Sequence, residues 1–169
     1  MDESLKKALS EFKGQVFLGP RTSIRNKNLN TPLPLPPNLP NFDAKIILTE
    51  SFRSDSPIAL EQGGHFCNYR ERLEGSAYIV ESTVNGEPAI LRSRNFTYIS
   101  GWLDSIAMKR IFSLALKSVN LEVFDLPSGV RVRTTAKERF WFNYSSILQK
   151  LSITNLKPAD VYIEQFDGS

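Results

Sequence analysis

The sequence of 169 residues has a single cysteine, Cys67, and a single histidine, His65. One cysteine excludes a disulfide within the chain and a zinc site built from several cysteines, and it is typical of a reducing compartment. No spacing of His, Cys and Asp suits zinc, and Gly63-Gly64 is followed by neither a Lys-Ser/Thr pair nor a helix start. The sequence therefore predicts no metal site and no cofactor site.

Long apolar runs are absent as well. Nowhere do about 18 apolar residues follow one another, the length that a membrane-spanning helix needs. The N-terminus, Met-Asp-Glu-Ser-Leu-Lys-Lys, lacks the apolar core of a signal peptide. We therefore expect a cytoplasmic protein without a membrane partner.

The chain also lacks a strong excess of one charge, since 21 basic and 18 acidic residues give a net charge of +3. Its basic residues form small groups instead of a continuous stripe, and such groups are common on solvated strands and loops. The groups are Arg21/Arg25/Lys27, Arg92/Arg94 and Arg131/Arg133. No nucleic-acid partner is predicted.

What the chain does contain is typical of a packed protein. Hydrophobic residues make up 41% of it, including 11 Phe, 5 Tyr and 2 Trp, which argues against general disorder. A chain of this length forms one domain, or one domain and a small second one.

The first part of the chain predicts mixed helices and strands. Leu5, Ala8, Leu9 and Phe12 share one face of a helix that ends before Gly14, and a short buried strand follows at 15–18. A helix in this place needs a strand before it. We therefore expect either that later strands complete the sheet in another order or that the chain begins within a fold.

A proline-rich segment from Gly19 to Phe42 shows no apolar periodicity, and its prolines forbid a helix. An ordered extended loop is favoured over a linker or a docking motif for an aromatic groove. A strand is predicted at 44–50, and another extended segment at 65–71, where Phe66 and Asn68 would face away from Cys67 and Tyr69.

The region 77–119 gives clearer local signals. Asn85-Gly86 separates two strand patterns and predicts a hairpin with a type I′ turn. A further strand covers 95–100 and ends at Gly101, and Asp104 is expected to cap a helix. The apolar stripe of that helix consists of Met108, Ile111, Phe112, Ala115, Leu116 and Val119.

After Asn120 the pattern changes to short strands, predicted at 121–124, 129–134, 139–144 and 161–166. Val130 and Val132 alternate with arginines, and two phenylalanines alternate with Trp141 and Asn143. This pattern indicates a small antiparallel β module.

Several motifs together resemble the C-terminal third of glycoside hydrolase family 42 β-galactosidases in order and spacing. They are Leu18-Gly-Pro-Arg-Thr22, the proline-rich loop leading to 46–52, Tyr69-Arg-Glu71, Gly86-Glu-Pro-Ala89, Tyr98-Ile-Ser-Gly-Trp-Leu-Asp104, Leu126-Pro-Ser-Gly-Val-Arg131 and Phe140-Trp-Phe-Asn-Tyr144. The chain departs from the family at Ser23-Ile24-Arg25 and at Tyr69, where Trp is common, and it stops before an expected final strand.

The resemblance implies an α/β fold in two parts. Residues 1–120 are expected to form part of a flavodoxin-like or amidotransferase-like trimerisation domain without its N-terminal half, and residues 121–169 a small C-terminal antiparallel β domain, possibly shortened. The implied partners are copies of the chain, as a trimer, or the missing catalytic barrel.

The resemblance also implies where the chemistry lies. Retaining glycoside hydrolysis needs two carboxyl groups about 5 Å apart, and in the family both are glutamates on barrel strands, the acid/base preceded by Asn. The chain has no Asn-Glu dipeptide. We therefore predict no catalytic residue among its glutamates, which include Glu50, Glu61, Glu71, Glu81, Glu87 and Glu122.

Three functions remain after this step. The chain is expected to be an inactive piece of an enzyme that hydrolyses terminal β-D-galactosides, supplying oligomer contacts and a scaffold. The alternative is a free-standing interaction module without enzymatic activity. A third reading is a thiol enzyme built on His65, Cys67 and Glu71, disfavoured because no orienting acid or oxyanion hole is evident nearby.

Overall fold

The computed structural model describes residues 3–165. It divides into two compact units, Met1–Ala115 and Leu116–Ser169. Strands account for 39% and helices for 14% of the chain, so the fold is mainly β. The elements are α1 (Glu3–Glu11), β1 (Val16–Leu18), β2 (Lys45–Ser51), β3 (Ile58–Ala59), β4 (His65–Glu74), β5 (Tyr78–Ser82), β6 (Pro88–Ser93), β7 (Phe96–Ile99), β8 (Gly101–Leu103), α2 (Ser105–Ser118), β9 (Val130–Thr134), β10 (Glu138–Asn143), β11 (Gln149–Lys150), β12 (Asn155–Leu156) and β13 (Val161–Gln165).

The first sheet has the strand order β1-β7-β6-β5. β1 and β7 are parallel, with Val16 opposite Phe96 and Leu18 opposite Tyr98, whereas β6 pairs antiparallel with both of its neighbours. A later strand thus supplies a neighbour for β1, one of the two expected arrangements. The predicted α/β character is present in one parallel pair of the described residues, and the remaining pairs are antiparallel.

The second sheet has the order β2-β4-β3, and β8 also pairs with β4. The chain crosses from the first sheet to the second at Ser100, between β7 and β8. Gly101 was expected to end a strand, and it instead begins β8. A side chain there would meet the ring of Phe66 at 2.6 Å, so this crossing needs glycine.

Two apolar cores pack within the first unit. One contains Leu39 and Phe42 of the proline-rich segment together with Tyr98, and the other is built around Phe66 and Ile90. The proline-rich segment forms an ordered loop that contributes to a core, as predicted, because its leucine and phenylalanine bury apolar surface.

The predicted hairpin joins β5 to β6, but the predicted turn type is wrong. The amide of Gly86 donates to the carbonyl of Thr83 at 2.8 Å, so Val84 and Asn85 are the central residues of the turn. Gly86 has a φ of 79°, whereas Asn85 is not among the residues with positive φ. A type I′ turn needs positive φ at both central residues, and this loop places its glycine one position later.

Both helices are where the sequence predicts them, and both expose apolar side chains. α1 has no buried residue; Leu5 is 49% exposed, and Phe12, directly after the helix, is 54% exposed. Asp104 caps α2, because its Oδ1 accepts from the amide of Ala107 at 2.9 Å. Only Ala107 and Ile111 are buried on α2, so most of its predicted apolar stripe is uncovered in the described part. The strand β1, predicted to be buried, is half-buried.

The second unit contains a sheet of order β13-β10-β9 and a small pair, β11-β12. Its core consists of Val130, Trp141 and Leu156. The strand predicted at 121–124 is wrong: Asn120 takes a left-handed φ of 57° and Leu121 donates to the carbonyl of Leu116, so this segment ends the helix. β11 and β12 were not predicted, and the predicted end at Phe166 lies outside the described residues.

Candidate functional site

The most buried ion pair of the first unit joins Glu81 of β5 to Arg110 of α2. The side chain of Glu81 is 2% exposed, and both of its oxygens accept from Arg110 at 2.8–3.0 Å. Its Oε1 also accepts from the amide of Gln62 at 3.1 Å. This carboxylate connects a strand, a loop and a helix.

Two further carboxylates, Glu50 and Glu87, share one guanidinium. Arg70 Nε donates to Glu50 Oε2 at 2.5 Å, and Arg70 Nη1 donates to Glu87. Arg72 Nη2 also lies 2.6 Å from Glu87 Oε1. A retaining glycosidase needs an open gap between its two carboxyl groups for the sugar, whereas here an arginine fills the gap. In the second unit Glu122 pairs with Arg139 at 2.6 Å.

Glu71 is buried in a different way, because its hydrogen-bond donors are neutral. The residue is 1% exposed, and its oxygens accept from Tyr98 Oη at 2.6 Å, from Tyr69 Oη at 3.1 Å and from the amide of Arg21 at 2.7 Å. These donors satisfy the carboxylate and anchor the loop after β1 to β4 and β7.

The anchored loop carries an unusual backbone conformation at Arg21. Its φ is 69°, a left-handed value that disfavours residues other than glycine, asparagine and aspartate. Arg21 is nevertheless exposed, while its backbone amide is fixed by the buried Glu71. Strained residues that the surrounding structure holds in place are concentrated at functional sites.

Glu71 changes the acidity of both tyrosines. Burial, the charge of Glu71 and the hydrogen bond to it raise the pKa of Tyr69 to about 12, and the nearby Arg21 acts in the opposite direction. Burial and the same carboxylate raise the pKa of Tyr98 still further. Both phenols therefore remain neutral donors in the folded chain at pH values where an ordinary tyrosine ionises.

These pKa shifts predict that the folded chain loses stability in strongly alkaline solution. Because the folded pKa is raised, the stabilisation is complete below the unfolded pKa of about 10 and disappears as the pH rises through the folded value. In an ultraviolet titration the folded chain should form less tyrosinate than the chain in guanidinium at the same pH. Tyr98→Phe should reduce the difference in tyrosinate between the folded and the unfolded chain. Titration curves of the folded and unfolded wild type that coincide would contradict the prediction.

A cavity of about 310 Å³ opens beside this loop, at the carboxyl ends of the parallel strands β1 and β7. We call it the strand-end cavity. Its walls are mostly apolar and include Leu18, Pro20, Trp102, Leu103, Met108 and Phe112. Trp102 is 47% exposed, and its ring centroid lies 5.3 Å from that of Tyr69, which links the cavity wall to the Glu71 cluster. The sequence analysis did not single out Trp102 or Arg21 as site residues.

A wider cavity of about 810 Å³ lies between α1 and the proline-rich loop. Two of its cations already have partners: Lys6 pairs with Glu3 at 2.9 Å, and Arg25 Nη1 donates to Thr31 Oγ1 at 3.2 Å.

His65 does have an acidic partner, contrary to the prediction. Its Nδ1 lies 3.2 Å from Asp104 Oδ2. Asp104 Oδ1 also accepts from the amide of His65 and, as the cap of α2, from the amide of Ala107. The sequence proposed Asp104 only as a cap, because nothing local shows that the helix start meets β4. Cys67 is a partly buried free thiol on the same strand. The side chains from Phe66 to Tyr69 were predicted to alternate between two faces. This alternation is interrupted, because Asn68 takes a left-handed φ of 60°.

Among the described residues no group of three or more His, Cys, Asp or Glu side chains is arranged to hold a metal ion. In the same part of the chain, neither helix has the length and hydropathy needed to cross a membrane.

The comparisons with known proteins point to one group of enzymes. No family model matches the chain. A β-galactosidase of Thermus thermophilus is 27% identical over 151 residues, which cover 84% of this chain but 23% of the relative. The chain thus spans about a quarter of the length of that curated relative.

Solved structures agree with this relationship in fold. The β-galactosidase of the psychrophilic Marinomonas ef1 superposes with a TM-score of 0.87 and 22% identity, covering 96% of this chain and 27% of that one. A catalytic mutant of a GH42 β-galactosidase from G. stearothermophilus gives a TM-score of 0.75 and 15% identity, covering 98% and 30%. The resemblance drawn from the motifs is therefore confirmed: the chain is similar to β-galactosidases, GH42 enzymes among them, over a minor part of their length, consistent with a C-terminal fragment.

Proposed function

We propose that the chain is a non-catalytic scaffold segment of a cytoplasmic family 42 β-galactosidase, an enzyme that hydrolyses terminal β-D-galactosides. In this proposal the first unit corresponds to part of the flavodoxin-like or amidotransferase-like trimerisation domain, and the second to the small C-terminal β domain. Hydrolysis takes place on a barrel that these residues do not form. The observation that carries the proposal is the match over only 23% of a curated β-galactosidase.

The glutamates of the described chain support a scaffold role. Glu50, Glu81 and Glu87 each contact an arginine, and Glu71 is enclosed by tyrosines and a backbone amide. A nucleophile and an acid/base need access to the substrate and different environments. These carboxylates instead connect elements of the fold.

Exposed apolar surface supports a role in assembly. Leu5 of α1 and Phe12 directly after it are exposed to solvent, and β1 pairs on one side only within the described residues. Apolar faces and open strand edges favour association. The proposed partners are further copies of the chain, as a trimer, or the catalytic barrel. The same surface favours the second candidate, a free-standing interaction module.

The direct test of the proposal is a hydrolysis assay on the purified chain. We expect no release of nitrophenol from a nitrophenyl β-galactoside above the rate in buffer, because Glu50, Glu71, Glu81 and Glu87 are each engaged by donors within the fold. A family 42 β-galactosidase serves as the positive control. Turnover that purifies with the chain and responds to substitution of one of its glutamates would contradict the proposal.

Light scattering on the same preparation measures the oligomeric state and shows whether the purified chain assembles. A defined oligomer that Leu5→Glu with Phe12→Glu converts to monomer supports assembly through α1. Lys13→Glu, an exposed substitution next to the same face, is the matched control and should leave the oligomer intact. A wild-type chain that stays monomeric at high concentration would contradict self-assembly and leave the barrel as the proposed partner.

A further inference from the structure

The strand-end cavity has the location of a binding site. It lies beyond the carboxyl ends of the parallel pair β1 and β7, where ligands of sheets with parallel strands bind. Its volume of about 310 Å³ is at the lower end of the range for small-molecule pockets. Such a volume suits a ligand of one or two rings.

The walls of the cavity favour a flat apolar body. Leu18 and Pro20 come from the loop side, and Met108 and Phe112 come from the first turns of α2. Trp102 closes one side of the cavity and is 47% exposed, so its aromatic face is open to a bound ring. A sugar would find few side-chain hydrogen-bond partners on these walls.

Arg21 adds a positive charge beside the apolar walls. It directly follows Pro20, a lining residue, and its charge acts on the phenol of Tyr69, which stacks near Trp102. No hydrogen bond or ion pair of its guanidinium is found within residues 3–165. The buried Glu71 fixes the left-handed backbone of Arg21 while the guanidinium is exposed, an arrangement that presents a cation to an anionic partner.

We propose that the strand-end cavity binds a small planar aromatic acid, with its ring against Trp102 and its acidic group on Arg21. The proposal does not depend on the scaffold function.

The test uses the full chain labelled with 5-fluorotryptophan, which gives one ¹⁹F signal for each of its two tryptophans. Trp102→Phe assigns the signals. On titration with 2-naphthoate, the Trp102 signal should shift and saturate, while the signal of Trp141, which is 5% exposed in the core of the second unit, should stay in place. The neutral analogue 2-naphthalenemethanol should bind about tenfold more weakly than 2-naphthoate, because it lacks the charge that hydrogen-bonds to Arg21.

Variants then separate the two parts of the proposed site. Arg21→Asn removes the guanidinium and tolerates the left-handed backbone, and it should lower the affinity for naphthoate to that of the neutral analogue. Arg25→Gln, on the same loop, is the control and should bind as the wild type does. Met108→Glu places a charge in the apolar wall, so it should abolish binding of naphthoate while leaving the loop of Arg21 unchanged. Equal shifts of both tryptophan signals, no shift at all, or an unchanged preference for the acid in Arg21→Asn would overturn the proposal.

Discussion

Replacing Trp141 with alanine is expected to unfold the second unit while the first unit keeps its structure. Trp141 is 5% exposed and belongs to a core of three buried residues. It makes an edge contact with Phe124 at 5.3 Å, and its Nε1 donates to Glu164 at 3.2 Å. Removing a buried aromatic side chain costs about 3 to 5 kcal/mol, which is comparable to the whole stability of a module of this size.

The measurement for this variant is amide hydrogen exchange read residue by residue. Amides of β9, β10 and β13 should lose protection, while those of β4 and β7, which pack in the cores of the first unit, should retain it. Tyr144→Ala is the matched control on the same stretch of chain: Tyr144 is 72% exposed, so its removal should change stability by less than about 1 kcal/mol. If amides of both units lose their protection from exchange together, the prediction that the two units have independent cores is contradicted.

Local signals in the sequence predicted the elements well where a short pattern determines the structure. The cap at Asp104, the hairpin around Gly86 and the alternation in β9 need only a few neighbouring residues to be recognised. The turn type was wrong because Asn-Gly is compatible with more than one loop, and only the hydrogen bond from Gly86 to Thr83 distinguishes them.

The pairing of distant strands could not be predicted in the same way. Nothing in the apolar pattern indicates that β1 pairs with β7 or that β8 joins β4, because these contacts connect segments far apart in the chain. The expected α/β character came from the order helix, strand, loop at the N-terminus. The structure has that order, but in the described residues the parallel pair lies at the edge of a sheet whose other pairs are antiparallel.

The Glu71 cluster could not be predicted from the sequence for a related reason. Glu71 is flanked by charged residues and looks like an exposed position, whereas the structure buries it between β4, β7 and the loop after β1. In the sequence, Arg21 likewise stands out only as part of a small basic group and of one motif of the resemblance. Its left-handed conformation depends on the Glu71 contact, so the candidate site becomes visible only when three distant segments are brought together.

The acidic residues of the first unit thus have different structural roles. Glu71 fixes a loop through neutral donors, while Glu50 and Glu87 neutralise Arg70 beside the strands. The proposed scaffold role accounts for carboxylates that are satisfied within the fold. The ion pair of Glu81 with Arg110 is the most consequential of these contacts for stability, because both groups are largely removed from water.

Glu81→Ala is expected to destabilise the first unit by about 3 to 5 kcal/mol, since it leaves the guanidinium of Arg110 without its partner in a largely buried position. The side chain of Arg110 is only 22% exposed. Urea unfolding followed by far-ultraviolet circular dichroism measures the change. Replacing both partners together, with Glu81→Met and Arg110→Met, should recover most of the loss, because no unpaired charge remains.

The exposed pair Arg53–Asp55, with side chains 86% and 65% exposed, provides the matched control for Glu81→Ala. Asp55→Ala should change the free energy of unfolding by less than about 1 kcal/mol, because water screens that pair. Glu81→Ala and Asp55→Ala each remove one carboxylate from an arginine. A difference between their effects on the free energy of unfolding therefore measures what burial of the ion pair contributes. A similar small effect at both positions would show that water reaches Arg110 and that α2 is not fixed to β5 by this ion pair.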